Sequence, residues 1–216
     1  NPPPPVLPTL APATGAAGAA VAVTITGTNL AGALLNVPAA SGITATGVTT
    51  TATQITATLN IAITAPVGAQ LISVTTAGGT SNALTFTTVL PALPTLTSIA
   101  PLTGVTGTTV PVTLTGTSLL GATVNVPVGV TATGVVATAT TVTANFVIAA
   151  NAAVGAKSIT VTTRGGTSTA VTFTVNPPVP ALTSIAPNVG VQGTSVPVVI
   201  GGTNLLASTF TLPAGI

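Results

Sequence analysis

One amine and one guanidinium, Lys157 and Arg164, are the only charged side chains in 216 residues, and the chain has no Asp, Glu, His, Cys, Tyr or Trp. General acid–base catalysis needs a group that titrates near the working pH. A Ser or Thr nucleophile needs a base to activate it, and Lys157 is the only side-chain amine. Calcium seeks carboxylate oxygens and zinc seeks His or Cys. No catalytic, metal-binding or cofactor-binding residue is therefore expected, and catalysis is excluded as the role of this segment. Lys157 and Arg164 lie at the two ends of one expected strand. The matching positions in an earlier copy of the same pattern are Gln70 and Ala77, so a function common to both copies does not rest on these cations. They are expected on a solvated face or at a contact between subunits. There the planar donor fork of Arg164 suits capping carbonyls of a neighbouring chain.

Two glycine pairs, Gly78-Gly79 and Gly165-Gly166, invite comparison with phosphate-binding loops. Such a loop needs a following helix and a Lys with a Ser/Thr partner. Neither follows, so both pairs read as hairpin turns. Threonine rows are the remaining polar feature. Thr160 with Thr162, and Thr113 with Thr115, stand on one strand face about 6.8 Å apart. Such rows suit ordering water or ice, accepting O-linked sugars, or pairing with another sheet; they also follow from plain strand preference on an uncharged surface. Asn60-Ile61-Ala62 and Asn151-Ala152-Ala153 do not match the N-glycosylation pattern. Without Trp or Tyr there is no flat aromatic platform for a sugar, which leaves contact with a surface glycan as a minor expectation.

Charged residues make up 1% of the chain and hydrophobic ones 46%, against about a quarter charged in ordinary globular proteins. A membrane-spanning helix needs about 20 mostly apolar residues in a row, and every apolar run here is broken within a few residues by Thr, Gly or Pro. An outer-membrane barrel carries aromatic girdles, whereas the aromatics are four Phe: Phe86, Phe146, Phe173 and Phe210. Disorder is contradicted by the abundance of β-branched residues. Two cations form no basic patch, so nucleic acid is not an expected partner. The absence of cysteine leaves the redox compartment unread. Near-zero charge also removes a main brake on self-association, which points to a surface packed against copies of itself.

The elements that position these residues repeat. Thr97-Ser98-Ile99-Ala100-Pro101 recurs as Thr183-Ser184-Ile185-Ala186-Pro187, with a weaker copy at Thr9-Leu10-Ala11-Pro12. A spaced glycine pair follows each: Gly15 and Gly18, Gly104 and Gly107, Gly190 and Gly193. Next come Thr26-Gly27-Thr28-Asn29-Leu30, Thr115-Gly116-Thr117-Ser118-Leu119 and Gly201-Gly202-Thr203-Asn204-Leu205. The step is 89 residues from Gly15 to Gly104, 86 from Gly104 to Gly190, and 87 from Gly78 to Gly165. The slip falls after Pro38, where Ala39-Ala40-Ser41-Gly42-Ile43 replaces the shorter Val128-Gly129-Val130. Repeats of this length signal an array of small units. The expected division is linker 1–7, repeat 8–89, linker 90–93, repeat 94–175, linker 176–181 and a partial repeat 182–216. The linkers are Pro-rich, which favours semi-rigid spacing. Asn1-Pro2-Pro3 matches Asn176-Pro177-Pro178, so the chain is expected to be a window on a longer array. The alternative is a last half-unit completed by strands of another copy.

Within the second repeat, Val110, Val112 and Leu114 alternate with polar or small residues. So do Val142, Ala144, Phe146 and Ile148, then Ile159 and Val161, then Val171, Phe173 and Val175, with a short strand at Val124 and Val126. Short alternating strands with frequent turn signals predict an all-β class: tandem immunoglobulin-like β-sandwiches with thin aliphatic cores. The ordered motifs Ser-Ile-Ala-Pro, spaced glycines, Thr-Gly-Thr-(Asn/Ser)-Leu and Gly-Gly-Thr-Ser resemble the IPT/TIG domains over nearly the whole chain. The resemblance implies early-set immunoglobulin-like sandwiches, most like the tandem copies in long bacterial surface proteins. Relatives also occur in receptor ectodomains, transcription factors and beside starch-active domains, so the fold does not fix the function. The expectation is a structural segment of an extracellular, cell-surface fibre that self-associates into a homopolymer. An adhesin stalk or binding module is the alternative, and an ice- or surface-binding threonine array a third.

Overall fold

The computed structural model describes residues 2–206 and 208–214. Repeat 1 contains β1 (Val6–Ala11), β2 (Thr14–Ala16), β3 (Ala20–Thr28), β4 (Leu34–Asn36), β5 (Ile43–Thr50), β6 (Gln54–Ile61), β7 (Gly68–Thr76), β8 (Gly79–Thr80) and β9 (Leu84–Val89). A single 3-10 turn, Ala39–Ser41, fills the longer loop after Pro38. Repeat 2 follows with β10 (Thr95–Ala100), β11 (Thr103–Val105), β12 (Thr109–Thr117), β13 (Thr123–Asn125), β14 (Val130–Ala137), β15 (Thr141–Ile148), β16 (Gly155–Thr163), β17 (Gly166–Thr167) and β18 (Val171–Asn176). The last described elements are β19 (Ala181–Ala186) and β20 (Val199–Thr203).

Each complete repeat stacks two sheets. One has the order β1-β3-β6-β5, and the other β2-β9-β7-β4 with β8 on β7. Repeat 2 has the same pattern: β10-β12-β15-β14 against β11-β18-β16-β13, with β17 on β16. Pairing is antiparallel except for β2 on β9 and β11 on β18, which are parallel. The alternation seen in the sequence is the cause. Ile55, Ala57, Leu59 and Ile61 of β6 are buried while the residues between them are not. In β15, Val142, Ala144, Phe146 and Ile148 do the same. Burying such a side chain contributes about 1.5–3 kcal/mol, so one face of each sheet is committed to the core.

Each core is a single cluster drawn from both sheets. Phe86 is central in repeat 1. In repeat 2 Phe146 and Phe173 meet edge to face, with centroids 5.3 Å apart at 83°. The spaced glycines make the close packing possible. A Cβ on Gly15 would lie 2.5 Å from Ile61 Cδ1 and 2.8 Å from Phe86 Cζ, and a Cβ on Gly104 would meet Ile148 and Phe173 in the same way. Gly27, Gly116 and Gly202 bring β3, β12 and β20 against a backbone carbonyl of β1, β10 and β19, at Val6, Thr95 and Ala181. The residue two further on, Asn29, Ser118 or Asn204, takes a positive φ of 60°, 56° or 57°, which short polar side chains tolerate best.

In repeat 2, three strands carry no clear alternation in the sequence. In β14 the register shifts between Thr133 and Val136, around Gly134 at φ 61°, and the same bulge occurs in β5 around Gly47 at φ 59°. The bulge exposes Val135 and Val136 and breaks the period of two. β11 is three residues long. β10 carries the Thr-Ser-Ile-Ala motif, with its register shifted between Leu96 and Ser98. β1 begins at Val6 and β19 at Ala181, each inside a segment expected as linker. The Ala-Pro bonds after β1, β10 and β19 are all cis. In the partial repeat, β19 and β20 pair with the register of β10 and β12. Among the described residues, Leu182 and Ile185 are 61% and 51% exposed, where Leu96 and Ile99 are buried.

Candidate functional site

The structure places the two cations differently. Lys157 sits on the core-facing register of β16, opposite Phe173, and is half-buried. It is not on a fully solvated face as expected, because positions 157, 159 and 161 share one side of the strand. Arg164 follows β16 in the turn to β17. Its Nη1 donates to Ile63 O at 2.8 Å and to Ala65 O at 2.5 Å. The expectation of a carbonyl cap is right in its chemistry. The partner is the preceding repeat of the same chain rather than a neighbouring one. Nothing in the repeat pattern marks that pairing, since the partners are backbone oxygens a hundred positions away in an ordinary loop.

The glycine pairs form hairpin turns between β7 and β8 and between β16 and β17. They have a second role that the sequence does not disclose. A Cβ on Gly78 would clash with the carbonyls of Pro2 and Pro3, and one on Gly165 with those of Pro91 and Ala92. The Pro-rich segment ahead of each repeat therefore lies directly against that repeat's hairpin. Asn82 ties β1 in place by accepting from Leu7 N and donating to Leu7 O, both at 2.8 Å.

The threonine rows lie on outward faces, as their spacing predicts. Thr24, Thr56 and Thr49 stand side by side across β3, β6 and β5. Many of these hydroxyls bond to one another or to amides. Thr9 pairs with Thr26 at 2.5 Å and Thr49 with Thr56 at 2.6 Å. Asn125 Nδ2 donates to Thr160 Oγ1 at 3.1 Å and Thr162 Oγ1 at 2.8 Å, and Asn36 serves Ser73 and Thr75 likewise. In repeat 2, Thr113 and Thr115 face Thr143 and Thr141 of β15. The rows are broken by Asn145, Val147 and the β14 bulge, so the face is not one uninterrupted hydroxyl lattice. An open depression of about 470 Å³, lined by Pro8, Thr26, Gly27, Thr28, Thr51, Thr53 and Gln54, offers hydroxyls and one carboxamide. It carries neither charge nor aromatic surface. Among the described residues no helix is long and apolar enough to cross a membrane.

No protein-family model and no curated protein sequence matches the chain. Solved structures do. The extracellular region of plexin A4 matches over 93% of this chain and 18% of its own, at 19% identity and a TM-score of 0.37. The Yersinia pseudotuberculosis adhesin InvE matches over 80% of this chain and 58% of its own, at 18% identity and a TM-score of 0.44. Invasin, a bacterial integrin-binding protein, matches over 93% and 47%, at 14% identity and a TM-score of 0.40. The chain spans less than two thirds of each of these proteins, and the likeness carries no ligand or activity across.

Proposed function

We propose that this chain is a non-catalytic structural segment of an extracellular bacterial surface fibre or filament. Its repeats, at 8–89, 94–175 and 182–216, are read as IPT/TIG-like units separated by linkers at 1–7, 90–93 and 176–181. One observation carries the reading: the same nine-strand sandwich is built twice, each with its Pro-rich lead-in packed on its own hairpin and a nearly uncharged outer surface of hydroxyls, amides and scattered apolar side chains. Such a unit suits stacking, because contact with a copy desolvates few ions. Self-association into a homopolymer is the partner this surface favours. Nucleic acid, metals and cofactors have no place in the proposal, and glycan contact is confined to the hydroxyl faces.

Electron microscopy of the purified chain across a concentration series tests it. Ordered filaments with an axial repeat of one or two units are the expected result. Monomeric particles at every concentration would refute it and favour a second reading, an adhesin stalk. That reading draws on the contact between repeats 1 and 2, since a stalk needs cohesion only within the chain. The mutual hydrogen bonding of the threonines weighs against a role in ordering ice, and absence of thermal hysteresis would end that idea.

A further inference from the structure

The junction between repeats 1 and 2 gathers three segments that are remote in sequence. The first is the loop after β6, which carries Ile63 and the buried Ala65. The second is the linker residues Pro91 and Ala92. The third is the hairpin turn Arg164-Gly165, whose backbone lies against that linker. A separate apolar contact accompanies them. Ile63 Cδ1 and Leu120 Cδ2 both border Gly18, at 2.9 Å and 3.2 Å from where its Cβ would stand, and Ile63 Cγ1 borders Gly121. Leu120 and Gly121 belong to repeat 2, and Gly18 and Ile63 to repeat 1.

We propose that Arg164 is a latch that fixes repeats 1 and 2 as one rigid pair. The two N–H groups of Nη1 each hold a carbonyl oxygen of the Ile63–Ala65 loop, which sets both position and rotation about the linker. A planar guanidinium suits this task because its donors are fixed in direction. Hydrogen bonds with a charged donor are about twice as strong as neutral ones. The glycine beside it is part of the device: with any side chain at Gly165, the hairpin would be pushed off Pro91 and Ala92, and Arg164 with it. Ile63 and Leu120 add apolar contact on the other side of the loop.

The latch belongs to this junction rather than to the repeat as such. Repeat 1 has Ala77 where repeat 2 has Arg164, and repeat 2 has Ala150 where repeat 1 has Ile63. The inference holds for a fibre and a stalk alike, so it does not depend on the proposed function.

The chain has no cysteine, so spin labels can be placed on T58C and T143C, on the outward faces of β6 and β15, and their distance distribution measured by pulsed electron resonance. The parent should give one narrow peak. Arg164→Gln should raise the population outside that peak on the order of tenfold or more, the factor expected from losing even one of its two charge-assisted hydrogen bonds. Arg164→Lys, which keeps the charge but not the fork, should recover part of the peak. Leu120→Ala should broaden it independently, and Lys157→Gln should leave it unchanged. Because the acceptors are neutral carbonyls, the parent peak should survive about 1 M salt, where exposed ion pairs are screened. Circular dichroism should show every variant folded, since Arg164 is exposed and bonds outside its own sandwich. An unchanged distribution in R164Q, or a parent distribution already broad, would overturn the latch.

Discussion

Thr88 offers a sharp test of the packing argument. Its hydroxyl lies in the core of repeat 1 at 0% exposure, with no hydrogen-bond partner among the described residues. The same position in repeat 2 is Val175, at 1% exposure. Thr and Val have nearly the same shape, so Thr88→Val replaces an unpaired hydroxyl with a methyl and should leave the backbone unmoved. A buried donor or acceptor left unpaired costs about 1–3 kcal/mol. Allowing for adjustment around the site, T88V should stabilise repeat 1 by about 1–2 kcal/mol, a rise of about 4–8 °C in melting temperature per kcal/mol for a unit of this size. The reciprocal Val175→Thr should destabilise repeat 2 by about 1–3 kcal/mol. Hydrogen exchange read by mass spectrometry along a urea series separates the two repeats, with β6 and β9 reporting one and β15 and β18 the other. The expected result is opposite shifts confined to the repeat that carries each change. The reasoning fails if T88V is neutral or destabilising while V175T costs the full amount, because the Thr88 hydroxyl must then be satisfied in solution.

Gly104→Ala should destabilise repeat 2 by about 1–3 kcal/mol through overpacking; combining it with Ile148→Val, which removes the atom 2.5 Å from the new Cβ, should cost less than the sum of the two single changes in the same urea experiment. Strict additivity would show that the pocket relaxes elsewhere. Stability should be flat between about pH 4.5 and 7, since the sequence holds no Asp, Glu or His and no other side chain ordinarily changes charge there. A sloping urea midpoint across that window would require an ionisable group that the sequence does not contain.

Much of the sandwich was legible because period-two burial leaves a direct trace. Val112 and Leu114, then Val142, Ala144, Phe146 and Ile148, and Ile159 with Val161 are core residues in sequence and structure alike. Where the trace failed, a local irregularity had replaced periodicity. Gly134 inserts an extra residue into β14, and β2 and β11 are too short to show any period. The spaced glycines were visible as a motif, but their reason was not: Gly15 and Gly104 are small because Ile61 or Ile148 and a Phe ring converge on them from other strands. Arg164 shows the same boundary. Its donor geometry follows from its residue type, whereas its acceptors are carbonyls chosen by how two sandwiches meet, and backbone oxygens leave no mark in a sequence.

The bulged and abbreviated outer strands have a consequence for assembly. Proteins usually guard free sheet edges with charged side chains, a defence that two cations cannot mount. Here β5 and β14 are kinked at Gly47 and Gly134, β1 and β10 shift register between Val6 and Thr9 and between Leu96 and Ser98, and β2, β4, β11 and β13 are three residues each. Geometry stands in for electrostatics, so templated growth by strand addition finds no straight edge to copy on either complete repeat. The same geometry disfavours amyloid-like stacking of copies by edge pairing.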